Sequence, residues 1–179
     1  MGEINFKRLG VDSNELIELY TSSSWPYHAD PNPKVSEIQQ RFDTGWYEDD
    51  RETYWIMDGA KRLGIVILSD VSDTIPMLYD IRLVRDSRGR GIGVKTMKWV
   101  ADTLFQRSEL IIRIEAYTRA DNLTMRQVFS KSGFVKEGYL RDSWENDDGS
   151  IMDSLCYAII RRDWQTGLTT EIDINDVPY

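Results

Sequence analysis

The sequence predicts a single α/β domain with about seven strands and four helices. The chain has 179 residues, which is enough for one domain with a sizeable core and short for two. Segments in which apolar residues alternate, as in strands, are interspersed with segments in which they recur at helical spacing. Apolar residues make up 41% of the chain and aromatic residues 11%, which distinguishes it from disordered proteins.

The first part of the chain predicts a strand, two helices and a hairpin. Asp12 and Glu15 resemble a capping box at the start of the first helix. Residues 22–33 contain three of the five prolines and several large side chains, so they predict a loop. The pair Asp58-Gly59 tolerates the positive φ of a hairpin turn. These predicted elements are a strand over 4–9, helices over 13–21 and 35–43, and strands over 53–57 and 63–68.

The second part of the chain predicts four more strands and two helices. Gly133 marks the end of the last helix, because glycine is favoured just past a helix end. Residues 141–149 are polar and predict a loop between the last two strands. Residues 165–179 are polar and weakly patterned, so we assign residues 1–164 to the domain and 165–179 to a C-terminal tail. These predicted elements are strands over 77–84, 111–117, 134–140 and 150–160, and helices over 91–106 and 122–131.

The charge and cysteine content exclude several classes of protein. The chain has 22 Lys and Arg residues and 30 Asp and Glu residues, which gives a net charge of -8. Nucleic-acid binding draws its affinity from cationic side chains, so this charge argues against a nucleic-acid partner. The single cysteine, Cys156, forms no intramolecular disulfide, and no Cys/His cluster indicates a metal. Apolar stretches such as 63–68 are too short to span a bilayer and no signal segment is present. We therefore expect a soluble cytoplasmic protein without a nucleic-acid or membrane partner.

A glycine-rich turn joins the predicted strand over 77–84 to a long helix. Gly89, Gly91 and Gly93 let a ligand approach the backbone, and the start of a helix offers unpaired N–H groups. Arg88 and Arg90 add charged hydrogen-bond donors. Such a turn suits an anion, most naturally a phosphate.

Three phosphate-binding motifs compete for this turn. A Walker A loop requires glycine before the lysine, and here Val94 precedes Lys95. A dinucleotide fingerprint requires Gly-x-Gly-x-x-Gly early in a βαβ unit, and both the spacing and the position differ here. The segment 88–93 matches Arg/Gln-x-x-Gly-x-Gly/Ala and resembles the pyrophosphate-binding turn for acetyl-coenzyme A in the GNAT superfamily of N-acetyltransferases. Tight helix–strand packing without a ligand is the structural alternative.

The second half of the chain strengthens this resemblance. The segment 114–117, followed by Asn122 and then Gly133-Phe134, is similar to the strand, asparagine and helix-ending Gly-Phe of the superfamily. Residues 140–160 are similar to the closing hairpin of the branch that includes the ribosomal-protein N-terminal acetyltransferases. The resemblance covers residues 4–164.

The resemblance implies a single-domain GNAT fold, in which a mixed, mostly antiparallel sheet has flanking helices and a splayed cofactor-binding strand at 80–84. It also implies direct transfer of acetyl from acetyl-coenzyme A to a primary amine, in a ternary complex without a metal. A backbone N–H of Leu83 or Val84 would polarise the thioester carbonyl. The alternative is a non-catalytic acetyl-coenzyme A-binding regulatory module. The implied cofactor-binding residues are Leu83, Val84, Arg88, Gly89, Arg90, Gly91, Ile92, Gly93, Val94, Asn122 and Phe129.

The acid that protonates the departing thiolate is not evident from the sequence. Many superfamily members have a tyrosine where this chain has Phe129, and the ribosomal-protein branch often has a serine where it has Met125. Both differences from the superfamily, Phe129 and Met125, favour the regulatory alternative. Tyr139, Tyr157 or a water molecule are the candidates that remain for the acid, or the thiolate leaves unassisted.

The base that deprotonates the amine has three candidates, Glu115, Tyr117 and Asp80, each of which could act through a water molecule. Glu115 shares a strand face with Tyr117, and Asp80 lies on the neighbouring strand. An ion pair between Glu115 and Arg113 is an equally good interpretation. His28 is the only imidazole, and a lone histidine in a proline-rich loop is usually a surface residue.

The resemblance places the acceptor pocket between the early helical region and the closing hairpin. Acidic side chains beside aromatic faces suit a cationic amine, small or peptidic; a hydrophobic lid and a solvated acidic surface are the alternative. Dimers are common among relatives, so a homodimer is possible. The candidate substrate-binding residues are Trp25, Tyr27, Trp46 and Trp144.

Overall fold

The computed structural model describes residues 3–172, which form seven strands and five helices with a single 3₁₀ turn over Arg85–Ser87. The strands are β1 (Ile4–Arg8), β2 (Arg51–Asp58), β3 (Lys61–Ser69), β4 (Met77–Leu83), β5 (Arg113–Arg119), β6 (Val135–Glu145) and β7 (Ile151–Ile160). The helices are α1 (Ser13–Thr21), α2 (Val35–Asp43), α3 (Ile92–Arg107), α4 (Leu123–Lys131) and α5 (Arg161–Thr166).

All seven strands belong to one sheet in the order β1-β2-β3-β4-β5-β7-β6. Neighbouring strands are antiparallel except β4 and β5, which are parallel. The parallel pair is short, since only Met77 and Leu78 of β4 are in register with β5. Beyond these residues the two strands diverge and leave a gap in the middle of the sheet. The predicted mixed, mostly antiparallel sheet with a splayed strand is confirmed.

A β-bulge lies at the start of this divergence. Ile67 is opposite Asp80 and Leu68 is opposite Leu78, so Tyr79 is the extra residue on β4. A bulge bends its strand and increases the local twist. The bend directs the second half of β4 away from β5, and this is where the candidate site lies.

Helices cover both faces of the sheet. On one face α3 and α4 pack through a cluster that includes Met97, Phe105 and Phe129. On the other face α1 and α2 pack through a cluster that includes Leu16 and Ile38. The buried residues of α3, which include Met97, Val100 and Leu104, recur at helical spacing along the side that packs on the sheet.

The structure differs from the sequence-based boundaries mainly near the C-terminal end. β6 continues to Glu145 instead of ending at Leu140, because an irregularity after Leu140 lets Trp144 pair again with Met152. The side chains of 141–143 are exposed on both faces of this edge strand, so they show no strand alternation. Helix α5 extends into the predicted tail, and residues 173–179 of that tail lie outside the described residues. Within residues 3–172 no helix is long and apolar enough to cross a membrane.

Candidate functional site

The glycine-rich turn connects β4 to the N-terminus of α3. Gly89 and Gly91 have φ values of 72° and 75°, a conformation that favours glycine over residues with a Cβ. Gly91 is the N-cap of α3, so the unpaired N–H groups of the first turn face outward from it. The Arg88 Nε donates a hydrogen bond of 2.8 Å to the Leu83 carbonyl oxygen, which holds the turn against the end of β4.

Gly93 explains why α3 and α4 approach closely beside this turn. A Cβ at Gly93 would lie 3.1 Å from the Val128 side chain. Glycine at this position therefore lets the two helices meet next to the gap between β4 and β5.

A cavity of about 220 Å³ lies beside the diverging half of β4, between it, the proline-rich loop and α4, and we call it the splay cavity. The Val84 N–H donates to the Leu63 carbonyl oxygen at 2.9 Å. Because alternate N–H groups of a strand point in opposite directions, those of Ile81 and Leu83 face the cavity. Of the two donors that the resemblance implies, the N–H of Val84 is bonded within the sheet and the N–H of Leu83 is the one directed to the cavity. The splay cavity is lined by Trp25, Pro26, Tyr27, His28, Ile81, Arg82, Leu83, Arg88, Gly93, Asn122, Thr124, Met125 and Val128.

Two of the residues predicted to bind the cofactor have structural contacts of their own. The Asn122 side chain caps α4 by accepting the Met125 N–H at 3.1 Å, and its Nδ2 donates to the Thr118 hydroxyl. Phe129 is fully buried, with its ring centroid 4.8 Å from that of Tyr157. Phe129 therefore belongs to the core, while Met125 and Val128 present the apolar wall of the cavity.

A second cavity, of about 310 Å³, lies on the α1–α2 side of β4, and we call it the aromatic cavity. Its walls come from α1, α2, the proline-rich loop, β4, β5 and β6. The aromatic cavity is lined by Tyr20, His28, Ala29, Asp30, Arg41, Trp46, Met77, Leu78, Tyr79, Asp80, Arg82, Tyr117 and Trp144.

The two cavities meet at His28 and Arg82, which line both. The His28 Nε2 lies 3.0 Å from the Asp80 Oδ1. The Arg82 Nε donates a hydrogen bond of 2.8 Å to the Asp80 Oδ2. The Arg82 guanidinium also lies over the ring of Tyr20, 4.5 Å from its centroid. The side chains of His28, Asp80 and Arg82 form the partition between the cavities.

The partition is buried, with side-chain exposures of 10% for Asp80 and 7% for Arg82. Burial by itself raises the pKa of the Asp80 carboxyl, but the facing His28 and Arg82 lower it further than burial raises it. The pKa of Asp80 therefore lies well below its usual value, and its side chain is a carboxylate at neutral pH.

The proline-rich loop places His28 in the partition. Its backbone folds back on itself, since the Trp25 N–H donates to the Pro31 carbonyl oxygen at 2.8 Å and the His28 N–H donates to the Trp25 carbonyl oxygen at 3.0 Å. The Trp25 indole Nε1 donates to the Tyr20 carbonyl oxygen at the end of α1. Arg119 of β5 holds the other side of the loop through the Pro26 carbonyl oxygen. These bonds hold the loop, and His28 with it, against β4 and β5.

A third cavity, of about 670 Å³, lies between the proline-rich loop and the β6–β7 turn, and we call it the loop cavity. His28 lines it as well, and Asp147 and Asp148 lie on its wall. The Asp147 N–H donates to the Ala29 carbonyl oxygen, which ties the turn to the loop. Burial, and the nearby carboxylates of Asp147 and Glu37, raise the pKa of Asp30. The carboxylates of Asp30, Asp147 and Asp148 therefore lie together at this side of the site, where Arg119 also lines the loop cavity.

The other proposed catalytic side chains lie outside the partition. The Glu115 carboxylate pairs with Arg113 at 3.0 Å and accepts a hydrogen bond from the Tyr117 hydroxyl. The Tyr139 hydroxyl donates to the Asp153 carboxylate, and this bond raises the pKa of Tyr139. Of the candidates, Asp80 is therefore the one that the structure places between the cavities.

The four candidate substrate-binding aromatic residues divide between the two cavities. Trp46 and Trp144 line the aromatic cavity, and Trp25 and Tyr27 line the splay cavity. The ring of Trp46 already holds a cation of the protein, because the Arg51 guanidinium lies 4.3 Å from its centroid. Trp144 is thus the candidate with the more open environment.

Sequence reasoning missed the roles of Arg82 and Tyr20 and placed His28 on the surface. One signal was present in β4, where Asp80 and Arg82 are two residues apart and so share a face of a largely apolar strand. Charged groups buried together are usually paired. No comparable pattern in the sequence indicated that the proline-rich loop folds back over this strand.

A family model described as "Acetyltransferase (GNAT) family" matches residues 14–134. In sequence comparison, no curated protein matches the chain. Among solved structures, a spermidine N-acetyltransferase from Vibrio cholerae in complex with CoA and spermine has a TM-score of 0.74 and 16% identity over 90% of this chain and 98% of that chain.

Two further structures are similar. A chimera of the Vibrio cholerae spermidine N-acetyltransferase SpeG and hSSAT has a TM-score of 0.78 and 15% identity, over 92% of this chain and 99% of that chain. The dodecameric spermidine N-acetyltransferase from Vibrio cholerae in an intermediate state has a TM-score of 0.72 and 16% identity, over 90% of this chain and 95% of that chain. At these identities the likeness shows the fold, and none of these matches supports the ribosomal-protein branch.

Proposed function

The chain belongs to the acetyltransferase (GNAT) family, and we propose that its acceptor is a primary amine that carries additional positive charge. Acetyl-coenzyme A is the co-substrate, and the acetyl group passes directly to the amine in a ternary complex. One observation carries the proposal: the splay cavity and the aromatic cavity meet at a charged partition. A thioester in the first cavity and an amine in the second would come together there.

The splay cavity and the glycine-rich turn fit acetyl-coenzyme A. Around Gly91 the space is open, since an added Cβ would have no atom within 4 Å. A pyrophosphate there would accept hydrogen bonds from the first turn of α3 and would be neutralised by Arg88 and Arg90. The amide-rich pantetheine arm would pair with β4 through the N–H groups of Ile81 and Leu83, like an added strand. One of these two groups would polarise the thioester carbonyl.

The charges around the aromatic cavity support a cationic acceptor. Asp30 lines this cavity, and Asp147 and Asp148 line the adjoining loop cavity. Two arginines also line the aromatic cavity, but Arg82 is paired with Asp80, and the Arg41 guanidinium lies over the ring of Trp46. An aromatic ring such as that of Trp144 adds a favourable face for a cation.

The similar structures agree with this class of acceptor, since spermidine and spermine are primary amines with several positive charges. A peptide N-terminus, the acceptor type of the ribosomal-protein branch that the closing hairpin resembles, is the competing possibility. An amine panel distinguishes the two.

The test measures thiol release from acetyl-coenzyme A with three acceptors: 1,4-diaminobutane, 4-amino-1-butanol and a short peptide with a free N-terminus. The diamine and the amino alcohol match in length and differ in one charge. We expect kcat/KM about fivefold higher for the diamine, since one screened charge pair contributes about 1 kcal/mol. Equal values would overturn the charged-acceptor proposal, and a clear preference for the peptide would favour the ribosomal-protein branch.

We also propose that the protein self-associates through the β6 edge of the sheet. β6 is the last strand in the sheet order, and Tyr139 and Leu140 on it are exposed. An edge strand with exposed apolar side chains is a surface on which strands of another copy can pair. Sedimentation of the wild type and of Leu140→Lys tests this, and a monomeric wild type would exclude it.

A further inference from the structure

We infer that His28 is the group that accepts the proton of the amine, and that Asp80 holds His28 in place for this step. The inference rests on the proposed function, because it names a residue for that reaction. It differs from the expectation drawn from the sequence, in which His28 was a surface residue of the proline-rich loop.

The position of His28 is the first argument. It lines the splay cavity, the aromatic cavity and the loop cavity. A proton acceptor for the attacking amine must lie within hydrogen-bond reach of the amine, directly or through one water molecule. The His28 side chain is one quarter exposed at the junction of the three cavities, so an amine that enters any of them lies beside the imidazole ring.

The contacts of the imidazole are the second argument. Its Nε2 lies 3.0 Å from the Asp80 Oδ1, and Asp80 is in turn fixed by Arg82. Its Nδ1 is buried and, within residues 3–172, has no hydrogen-bond partner. A carboxylate beside one ring nitrogen orients the ring and stabilises the imidazolium that forms when the other nitrogen takes a proton. Asp80 is thus a positioning residue, and Nδ1 is the atom that accepts.

The contacts of the other candidates are the third argument. The Glu115 carboxylate is paired with Arg113, which also pairs with Glu137, and it accepts a hydrogen bond from the Tyr117 hydroxyl. Tyr139 is exposed and donates to Asp153. Neither Glu115 nor Tyr139 is among the residues that line the three cavities.

Charged and titratable groups face His28 from every neighbouring element. Positive charges come from Arg82 on β4, Arg88 in the turn, Arg119 on β5 and Arg41 on α2. Negative charges come from Asp80 on β4, Asp30 in the loop, and Asp147 and Asp148 in the β6–β7 turn. Tyrosine hydroxyls come from Tyr20, Tyr27, Tyr79 and Tyr117. Asp80 is the acidic group that directly contacts the imidazole, with its Oδ1 3.0 Å from Nε2.

The acceptor ammonium gives one proton to the lone pair of the His28 Nδ1, and the freed lone pair of the amine attacks the thioester carbonyl carbon. The new C–N bond forms while the C–S bond breaks, and the sulfur takes the bonding electron pair. A second proton leaves the nitrogen for the sulfur, which gives the amide and the free thiol. The imidazolium then releases its proton to solvent.

Kinetics with the best amine of the panel provide the first test. For His28→Gln we expect kcat to fall about 10²–10⁴-fold, the usual contribution of a positioned base, with the KM for acetyl-coenzyme A nearly unchanged. The matched control is Lys34→Gln, an exposed residue at the end of the same loop, which should retain wild-type kcat. Added imidazole should restore part of the activity of His28→Ala, whereas a purely structural role would give no rescue.

The chain has one histidine, so its imidazole can be followed directly by NMR without interference. In wild-type protein saturated with coenzyme A, addition of 1,4-diaminobutane should shift the Cε1–H resonance of His28. This measurement needs no turnover and no variant, so it remains decisive if the His28 variants fail to fold.

The outcomes separate the two proposals. If the wild type turns over an amine but His28→Gln keeps more than about a tenth of its kcat, the inference about His28 is wrong and the proposed function stands. An unshifted His28 resonance, or loss of activity without imidazole rescue in a folded His28→Ala, would also overturn the inference. If the wild type releases no thiol with any amine, the proposed function fails and the inference fails with it.

Discussion

The partition depends on the carboxylate of Asp80. It lies between Arg82 and His28 and is nine-tenths buried. Without it, the Arg82 guanidinium would be buried without a counter-ion. Removing one partner of a buried ion pair costs about 3–5 kcal/mol, because an uncompensated charge remains.

We therefore predict that Asp80→Asn lowers the free energy of unfolding by about 3 kcal/mol at pH 7. The folded-state pKa of Asp80 is depressed, so its contribution is present above the unfolded pKa of about 4 and is lost as pH falls below that value. Urea unfolding of both proteins at pH 7, 5 and 3 should show a difference that is smaller at pH 3 than at pH 5.

The matched control is Glu18→Gln, which makes the same chemical change on an exposed position of α1. It should change stability by less than about 0.5 kcal/mol. A difference between wild type and Asp80→Asn that grows as pH falls from 5 to 3 would contradict the depressed pKa.

Gly91 is the second residue with a specific conformational role. We predict that Gly91→Ala reduces the rise in melting temperature that acetyl-coenzyme A produces, because a Cβ disfavours the φ of 75° that aims the helix N–H groups. Gly59→Ala, at a φ of 58° in the β2–β3 turn, carries a similar strain away from the site. Thermal shift assays should show both variants destabilised and only Gly91→Ala with a smaller ligand effect.

At the scale of elements, the divergence of β4 from β5 leaves donors of β4 without strand partners. The N–H groups of Ile81 and Leu83 face the splay cavity, whereas that of Val84 is bonded to Leu63. We predict that acetyl-coenzyme A slows amide exchange at Ile81 and Leu83 by about tenfold or more, and changes Val84 little. Hydrogen exchange by NMR measures this. Unchanged exchange at both residues would exclude pairing of the pantetheine arm with β4.

The close approach of β3 to β4 depends on Gly64. A Cβ there would overlap the Arg82 carbonyl oxygen, so backbone must move to accommodate it. We predict that Gly64→Ala destabilises the protein by about 2–3 kcal/mol, as overpacking does in well-packed interiors. Gly10→Ala, where an added Cβ has no atom within 4 Å, should be neutral within about 0.5 kcal/mol in the same denaturation assay. Equal effects of the two substitutions would contradict this account.

At the scale of the whole molecule, the net charge of -8 and the carboxylates beside the site attract cations. We predict that kcat/KM for 1,4-diaminobutane falls about threefold or more when ionic strength rises from about 0.05 to 0.5 M, because the Debye length shortens from more than 10 Å to a few ångströms. The value for 4-amino-1-butanol should fall less. Steady-state kinetics at both salt concentrations tests this, and parallel declines would indicate that the carboxylates do not act on the acceptor.

The elements of this protein were largely predictable because local patterns specify them. The bounds of α1 and α2 agree with those predicted from the capping residues and apolar spacing. The glycine-rich turn was identifiable because its φ values require glycine at Gly89 and Gly91. The prediction ended β6 too early. Asp142 adopts a positive φ and its neighbours are exposed, so the alternation of buried and exposed side chains is interrupted there.

The sequence by itself determined the α/β class, the order of the main elements and the position of the glycine-rich turn, since each depends on residues adjacent in the chain. Only the tertiary structure decided which side chains meet between the cavities. His28 and Asp80 are 52 positions apart, and they meet because the proline-rich loop folds back over a strand that a bulge has bent. A contact of this kind depends on hydrogen bonds from α1 and β5 to the loop, and no local pattern in the sequence encodes them.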